Sequence, residues 1–161
     1  MTKSQPFHAP GVQGALSSLD AKTVCVFSDL HLFCKRSEAG ERMEAIHKAM
    51  ERANLCVLNG DIFDFRWTIF RGIEETVPHA IAWLERFMAH HKGCHFHYVG
   101  GNHDAVTPFV ERMELLANRT PHLTYHPHFV KLGQSVFLHG DVVHYAAFDD
   151  DFEEKFRARW R

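Results

Sequence analysis

The sequence predicts an α/β fold in which a largely parallel sheet is flanked by helices. Short apolar runs of strand length alternate with longer segments whose apolar residues recur at helical spacing. This alternation indicates βαβ units, in which helices connect neighbouring parallel strands. Polar motifs directly follow several of the apolar runs, where parallel strands present their carboxyl ends. A chain of 161 residues with 45% hydrophobic content suffices for one domain with a buried core.

The first half of the fold is predicted to contain two strands and two helices. The run 23–28 is rich in β-branched and aromatic residues and predicts a strand. Residues 38–53 carry apolar side chains at helical spacing with charged side chains between them, which predicts an amphipathic helix. The apolar run 55–59 predicts the second strand. A helix is then expected at 78–91, with Pro78 in its first turn, where a proline costs no hydrogen bond.

The second half begins with a third predicted strand at 94–99. Thr107 and Pro108 are typical of a helix start, with a hydroxyl cap followed by proline at the first helical position. Two apolar runs within 129–138 predict a hairpin or a strand pair. A last amphipathic helix is predicted at 149–160, where acidic residues at its beginning suit the helix dipole.

Composition and charge exclude several classes of protein. A formal net charge of −2 argues against a general nucleic-acid-binding protein. No apolar run reaches the roughly 18 residues that a membrane span needs, and residues 1–22 are expected to be a loosely ordered lead-in rather than a signal peptide. The cysteines show no CxxC pairing, which favours free thiols in a reducing compartment. We therefore expect a single domain at 23–161 and a cytoplasmic location.

Five side chains at predicted strand ends form a candidate metal site. Asp29 and His31 are two residues apart after the first strand, so both can project to one side and share an ion. Asp61 follows the neighbouring strand and could bridge two ions through its two carboxylate oxygens. Asn102 and His139 could supply a carbonyl oxygen and a ring nitrogen to the second ion. Such a set suits hard or borderline divalent metals and metal-assisted hydrolysis.

Further side chains near these ligands have candidate roles in catalysis. His103 suits transition-state stabilisation or protonation of a leaving group, and Asp104 is placed to orient its ring. Asp64 is expected behind the ligands as a hydrogen-bond partner or cap. Arg66 is a candidate for contacting a phosphate, although a surface ion pair is the simpler interpretation.

The chain is rich in histidine, with 14 residues of this type. For most of them we expect positions at the surface or behind the site. Seven fall in three groups, at a helix end, on one strand face and in a proline-containing loop. These are His90 and His91, His95 and His97, and His122, His126 and His128.

Taken in order, the motifs resemble those of the calcineurin-like metallophosphoesterases: DxH, GDxxD, GNH[DE], a later histidine and a closing GHxH. The segments SDLHL at 28–32, NGDIFD at 59–64 and GNHD at 101–104 match the first three. The resemblance implies an αββα sandwich with two metal ions, most often Mn²⁺; Fe²⁺ or Zn²⁺ would also suit the ligands. It assigns one ion to Asp29, His31 and Asp61, the other to Asp61, Asn102 and His139, and catalysis to His103 with Asp104.

The fourth motif, HGD at 139–141, is similar to the branch of UDP-2,3-diacylglucosamine diphosphatases. That branch often carries arginine at the position of His103. The closing GHxH is absent, and His144 is the one histidine after His139, so it is a candidate substitute ligand. We accordingly expect a sandwich that is incomplete at its C-terminal end relative to the family.

Two functions follow from these patterns. The first is a phosphoester hydrolase in which water activated by two metal ions attacks the phosphorus of a small substrate: a phosphomonoester, a phosphodiester or a pyrophosphate. The alternative is a non-catalytic scaffold on the same fold, with a degenerate metal site, that binds a partner through an exposed sheet edge or through the Phe-rich segment 63–70. A homodimer could cover such an edge. Metal content distinguishes the two, since only the enzyme should hold close to two ions per chain.

Overall fold

The computed structural model describes residues 23–141. The predicted lead-in at 1–22, the predicted helix at 149–160 and His144 lie outside the described residues. The described elements, in chain order, are β1 (Val24–Phe27), α1 (Met43–Met50), β2 (Leu55–Asn59), α2 (Ile73–His90), β3 (His95–Val99), α3 (Thr107–Arg119), β4 (Leu123–His126), β5 (Phe129–Leu132) and β6 (Ser135–Leu138).

The strands described within residues 23–141 form two sheets. Strands β1 to β4 make a four-stranded sheet in sequence order, and every neighbouring pair in it is parallel. Strands β5 and β6 form an antiparallel hairpin. The helices α1, α2 and α3 are the crossover connections between consecutive parallel strands. The predicted α/β class with a parallel sheet is therefore confirmed.

The two faces of the four-stranded sheet bury different partners because alternate side chains of a strand point to opposite faces. Cys56 and Leu58 of β2 belong to the large core that the sheet shares with the three helices. Leu55 and Val57 of the same strand pack instead against Val130 of the hairpin. Residues 23–141 thus contain a layer of helices, the parallel sheet and a second, smaller sheet.

Two helix starts differ from the prediction. Helix α2 begins at Ile73, so Pro78 lies inside the helix rather than in its first turn. The first turn is held instead by Thr76, whose backbone N–H and hydroxyl both donate to the carbonyl of Gly72 at 3.0 and 2.7 Å. Helix α3 begins at Thr107, so Val106 and not Thr107 occupies the capping position. No side chain makes a capping hydrogen bond at this helix start.

The predicted loop around His122 and His128 contains strand β4, which the sequence interpretation missed. His126 of this strand and His97 of β3 are both 7% exposed, so these two histidines are core residues and not surface ones. His97 Nδ1 lies 2.9 Å from His126 Nε2, a hydrogen bond between the two rings. Burial lowers the pKa of His126 to about 4, with a smaller contribution from His97.

Candidate metal centre

The candidate site lies where β1, β2 and β3 end. The chain after β1 continues alongside the chain after β2: the backbone N–H of Asp29 donates to the Gly60 carbonyl at 3.1 Å. The N–H of His31 likewise donates to the Asp61 carbonyl at 2.9 Å. A parallel bridge between Leu32 and Phe63 extends this pairing. The DxH and GDxxD motifs are therefore held side by side by backbone hydrogen bonds beyond the ends of their strands.

Three of the predicted ligands have a left-handed backbone. Their φ angles are 55° at Asp29, 45° at His31 and 53° at Asp61. Side chains other than glycine rarely adopt this region, and each such residue costs on the order of 1 kcal/mol or more. Strain of this kind persists only where the surrounding structure determines it, and it concentrates at functional sites. Here it directs two carboxylates and one imidazole toward a common point.

Asp61 is the central residue of the site and is only 3% exposed. Its Oδ1 accepts a hydrogen bond from the backbone N–H of His103 at 2.8 Å, and its Oδ2 lies 3.2 Å from His139 Nε2. Burial opposes the ionisation of Asp61, but the interactions with His139 and with the His103 N–H outweigh it and lower the pKa of Asp61. Asp61 is therefore a carboxylate at neutral pH.

The residues present fit a metal centre. Ligand atoms of His31, Asp61 and His103 all lie within 4.8 Å of one another, and so do those of Asp29, Asp61 and His139. Asp61 belongs to both groups. His31 Nε2 also lies 3.9 Å from Asp29 Oδ1 and 3.9 Å from Asp61 Oδ2, so the predicted set of Asp29, His31 and Asp61 for one ion stays a prediction.

Two ligand candidates differ in their surroundings. His139 is 6% exposed, and its Nδ1 lies 3.2 Å from the Asn59 carbonyl. Although burial lowers the pKa of His139, its interactions with Asp61 and, more weakly, with Asp141 and Asn59 raise it to about 9. His139 must therefore lose a proton before it can bind a metal. Asn102 is exposed and directly precedes His103.

The structure gives Asp104 a different place from the predicted one. Its carboxylate is 1% exposed and accepts hydrogen bonds from the Tyr98 hydroxyl at 2.6 Å and from the backbone N–H groups of Ile62 and Gly101 at 2.8 and 2.9 Å. Burial raises the pKa of Asp104 to about 7 against the effect of these hydrogen bonds. Asp104 thus ties the GNHD loop to the GDxxD loop through its bonds to Gly101 and Ile62, rather than orienting the His103 ring.

The carboxylate nearest to the His103 ring is that of Asp64. Asp64 Oδ2 lies 3.3 Å from His103 Nδ1 and 3.5 Å from His31 Nδ1, while Oδ1 accepts from the backbone N–H groups of Arg66 and Trp67. The His103 contact has the distance of an ion pair without the alignment of a hydrogen bond. The side chain of Asp64 is 3% exposed, and its place behind the ligands stays a prediction. Arg66 is exposed.

A cleft of about 1010 Å³ opens beside Asp29, His31 and Asp64. Lys35, Arg36 and Arg42 line it, and sequence reasoning singled out none of them. The segment that carries them lies between the DxH motif and α1, and has no motif of its own. Their clustering beside carboxylate and imidazole ligands becomes visible only in the folded chain.

A comparison against protein families agrees with the α/β architecture. The model of the family described as calcineurin-like phosphoesterase matches residues 22–157. The chain belongs to this family. It therefore carries a metal-dependent phosphoesterase domain, and its mixed α/β architecture is consistent with the family fold. Comparisons with curated proteins and with solved structures found no significant match. Among the described helices, none combines the length and apolar character that crossing a membrane requires.

Proposed function

We propose that the chain is a phosphoester hydrolase with a two-metal centre in which Asp61 is shared between the ions. The observation that carries this proposal is the position of Asp61 between two imidazoles: its Oδ2 lies 3.9 Å from His31 Nε2 and 3.2 Å from His139 Nε2. A carboxylate in this position can bind two ions at once, and the lowered pKa of Asp61 keeps it charged. The scaffold alternative is not favoured, because the family is one of phosphoesterases and both ligand groups are present.

The ligands in this proposal are Asp29, His31, Asp61, Asn102 and His139, with Mn²⁺ as the favoured ion and Fe²⁺ or Zn²⁺ as alternatives. When bound there, the ions would supply Lewis acidity toward a phosphoryl oxygen and lower the pKa of a water molecule. The donor set of carboxylate, imidazole and amide supports ions of this borderline character.

His103 is proposed as the imidazole that protonates the leaving group. Its backbone N–H holds Asp61, and its ring faces Asp64 on one side and makes an edge contact with His31, with ring centroids 4.8 Å apart. Asp64 is then the positioning residue for this ring, in place of Asp104. A histidine positioned by a buried carboxylate is the usual arrangement for a general acid.

The substrate is proposed to be small and phosphorylated: a phosphomonoester, a phosphodiester or a pyrophosphate. Arg42 is paired with Glu38 at 3.3 Å, which leaves Lys35 and Arg36 as the cations of the cleft wall that would attract phosphate oxygens and so support an anionic substrate. The HGD motif at 139–141 supports the diphosphatase branch, and hence a pyrophosphate bond.

The test is hydrolysis of p-nitrophenyl phosphate, bis-p-nitrophenyl phosphate and a nucleoside diphosphate ester with added Mn²⁺. Asp61→Asn removes the shared charge while keeping the side-chain shape, and Glu111→Gln, on the exposed face of α3, is the matched control. We expect activity in the wild type and in Glu111→Gln, and its loss in Asp61→Asn. The relative rates on the three substrates identify the bond that is cleaved.

Metal content decides between the two-metal centre and a simpler site. Close to two Mn²⁺ per chain in the wild type, and fewer in Asp61→Asn, would support the shared carboxylate. Folded, metal-saturated protein without activity above the variant would overturn the proposal.

The compartment is proposed to be reducing, as in the cytoplasm. All four cysteines, Cys25, Cys34, Cys56 and Cys94, are free thiols. Burial raises the pKa of Cys94 to about 11 and that of Cys56 still further, so both thiols are protonated and unreactive at neutral pH. The predicted homodimer stays a prediction.

A further inference from the structure

A second group of histidines lies at the opposite end of the parallel strands from the proposed active site. His47 is in the last turn of α1, His90 is the last residue of α2, and His91 caps that helix. Helices α1 and α2 lead into β2 and β3, so these helix ends lie next to the amino ends of the parallel strands. The proposed active site occupies the carboxyl ends. The two groups are therefore at opposite edges of the same sheet.

The three rings converge closely. Nδ1 of His47 lies 2.9 Å from Nε2 of His91, and the ring centroid of His90 is 4.6 Å from that of His47 and 4.9 Å from that of His91. One nitrogen from each ring can be chosen so that all three lie within 4.8 Å of one another. Two nitrogens bound to one tetrahedral Zn²⁺ ion are about 3.3 Å apart, so the His47–His91 pair needs only a small adjustment.

Two helix ends at the rings also favour a cation, and Glu51 lines the adjoining cavity together with Arg52 and Lys92. The C-terminal ends of α1 and α2 meet here, and each carries the partial negative charge of its helix dipole and carbonyl groups without partners in the helix. A cavity of about 500 Å³ opens at the rings and leaves room for a water molecule as a fourth ligand. Three protein ligands with one open position are a common zinc arrangement.

We propose that His47, His90 and His91 form a second metal site, which binds one divalent transition ion of the zinc class and fastens the end of α1 to the end of α2. Imidazole is a preferred ligand of Zn²⁺, Ni²⁺ and Cu²⁺, whereas a site without carboxylates is a poor one for Mg²⁺ or Mn²⁺. The site would thus differ in metal preference from the carboxylate-containing centre at the other edge. It is independent of the phosphoesterase reaction.

The test uses Zn²⁺ alone as the probe and the full chain as the sample. Zinc per chain is counted after equilibrium dialysis, and the thermal midpoint is measured with and without Zn²⁺. The variant is His90→Ala, because the exposed position of His90 makes a folding defect unexpected. The control is His95→Ala, an exposed histidine of β3 outside the group.

We expect His90→Ala to hold one zinc ion fewer per chain than the wild type and than His95→Ala. Its affinity for that ion should fall by at least about tenfold, since loss of a supporting group alone already costs that much. The zinc-dependent rise in thermal midpoint should shrink in parallel. Mn²⁺-dependent hydrolysis should be unchanged in His90→Ala, which separates this site from the proposed active site.

Equal zinc content in His90→Ala and the wild type would overturn the proposal. The three histidines would then interact only through ring contacts and one hydrogen bond. An equal loss in His95→Ala would overturn it too, because it would show binding by scattered surface imidazoles. If circular dichroism shows that His90→Ala is unfolded, His47→Gln decides by the same count. This variant keeps a side chain that can hydrogen-bond to His91 but supplies no imidazole.

Discussion

The two edges of the four-stranded sheet both carry histidines, but they are built differently. At the carboxyl edge, Asp61 joins two ligand groups that each contain a carboxylate, and the backbone is left-handed at Asp29, His31 and Asp61. At the amino edge, the histidine group contains imidazoles alone, and His91 caps its helix with an ordinary φ of −114°. Backbone strain is thus present at the edge with carboxylates and catalytic candidates, and absent from the helix cap at the other.

This difference shows what each edge requires. Bringing two acidic groups and several imidazoles to one point demands loops that overrule ordinary backbone preferences. A group of imidazoles on two helix ends needs only that the helices pack, because regular helix geometry already presents the side chains. The carboxyl edge should therefore be sensitive to small backbone changes, and the amino edge tolerant of them.

The largest expected effect comes from adding one methyl group at each edge. A Cβ on Gly101 would overlap the backbone N and the carboxylate of Asp61, whereas a Cβ on Gly93 would meet nothing within 4 Å. Gly101→Ala should reduce hydrolysis at least about 100-fold by displacing Asp61, and should lower the free energy of unfolding by roughly 2–4 kcal/mol. Gly93→Ala should stay within about 0.5 kcal/mol of the wild type. Initial rates and urea unfolding measure both, and similar effects of the two variants would contradict the contrast between the edges.

The next largest effect separates a catalytic histidine from a merely metal-binding one. His103→Gln should lower kcat by about 100-fold or more, because a general acid contributes at least that much, while Mn²⁺ content stays at the wild-type value. His90→Gln, the same substitution at the amino edge, should leave kcat unchanged. Steady-state kinetics and metal analysis on the same samples provide the check. Loss of one Mn²⁺ in His103→Gln would instead identify His103 as a ligand, as its grouping with His31 and Asp61 also allows.

A third group of histidines is the buried pair His97 and His126, which lies outside both proposed metal sites. It shows the effect of burial on the pKa of a histidine. Burial holds the pKa of His126 at about 4, below its ordinary value of 6.5. Between these values the unfolded chain binds more protons than the folded one, so stability is present above pH 6.5 and is lost as the pH falls toward 4. The slope due to this residue should approach about 1.4 kcal/mol per pH unit within the window.

Urea unfolding at several pH values between 4 and 7 measures this slope. His126→Gln should flatten it, and His95→Gln, which is exposed on the neighbouring strand, should not. If His126→Gln leaves the slope unaltered, other residues cause the loss of stability at acid pH.

The smallest effect concerns the cleft beside the carboxyl edge. Lys35→Gln removes one cation from its wall, and KM should rise by about three- to tenfold with kcat nearly unchanged, because Lys35 would bind the substrate and the transition state equally well. Lys48→Gln, on the exposed side of α1, is the matched control and should alter neither constant. Equal kinetics for the two variants would show that Lys35 does not contact the substrate.

Most of the fold was predictable from local patterns. Strand β2 has the predicted bounds, Leu55–Asn59, because both of its faces are buried and its residues are continuously apolar. Strand β4 was missed because Thr124 and His126 interrupt its apolar character and Pro127 follows directly. The hydrogen bond between His126 and His97 compensates for the burial of the His126 ring, and no local pattern reveals it.

The same limit applies to the candidate site. The motifs identified the strand-end residues because each follows a strand closely, where a parallel sheet brings side chains together. They could not decide which carboxylate faces His103, since Asp104 is adjacent in sequence while Asp64 is nearer to the ring. Nor could the motifs show that His47 lies beside His90 and His91. His91 is 44 residues from His47 in sequence, and the two meet only when helices α1 and α2 pack.

The backbone pairing of Asp29 with Gly60 and of His31 with Asp61 has a consequence for protein engineering. The two loops form one structural unit, because a change in the backbone path of one loop alters the hydrogen bonds that position the other. Substitutions in the two should be non-additive, and a double-mutant cycle across them would report coupling rather than independent losses. Anyone who wishes to change the metal preference of this edge would have to exchange both loops together.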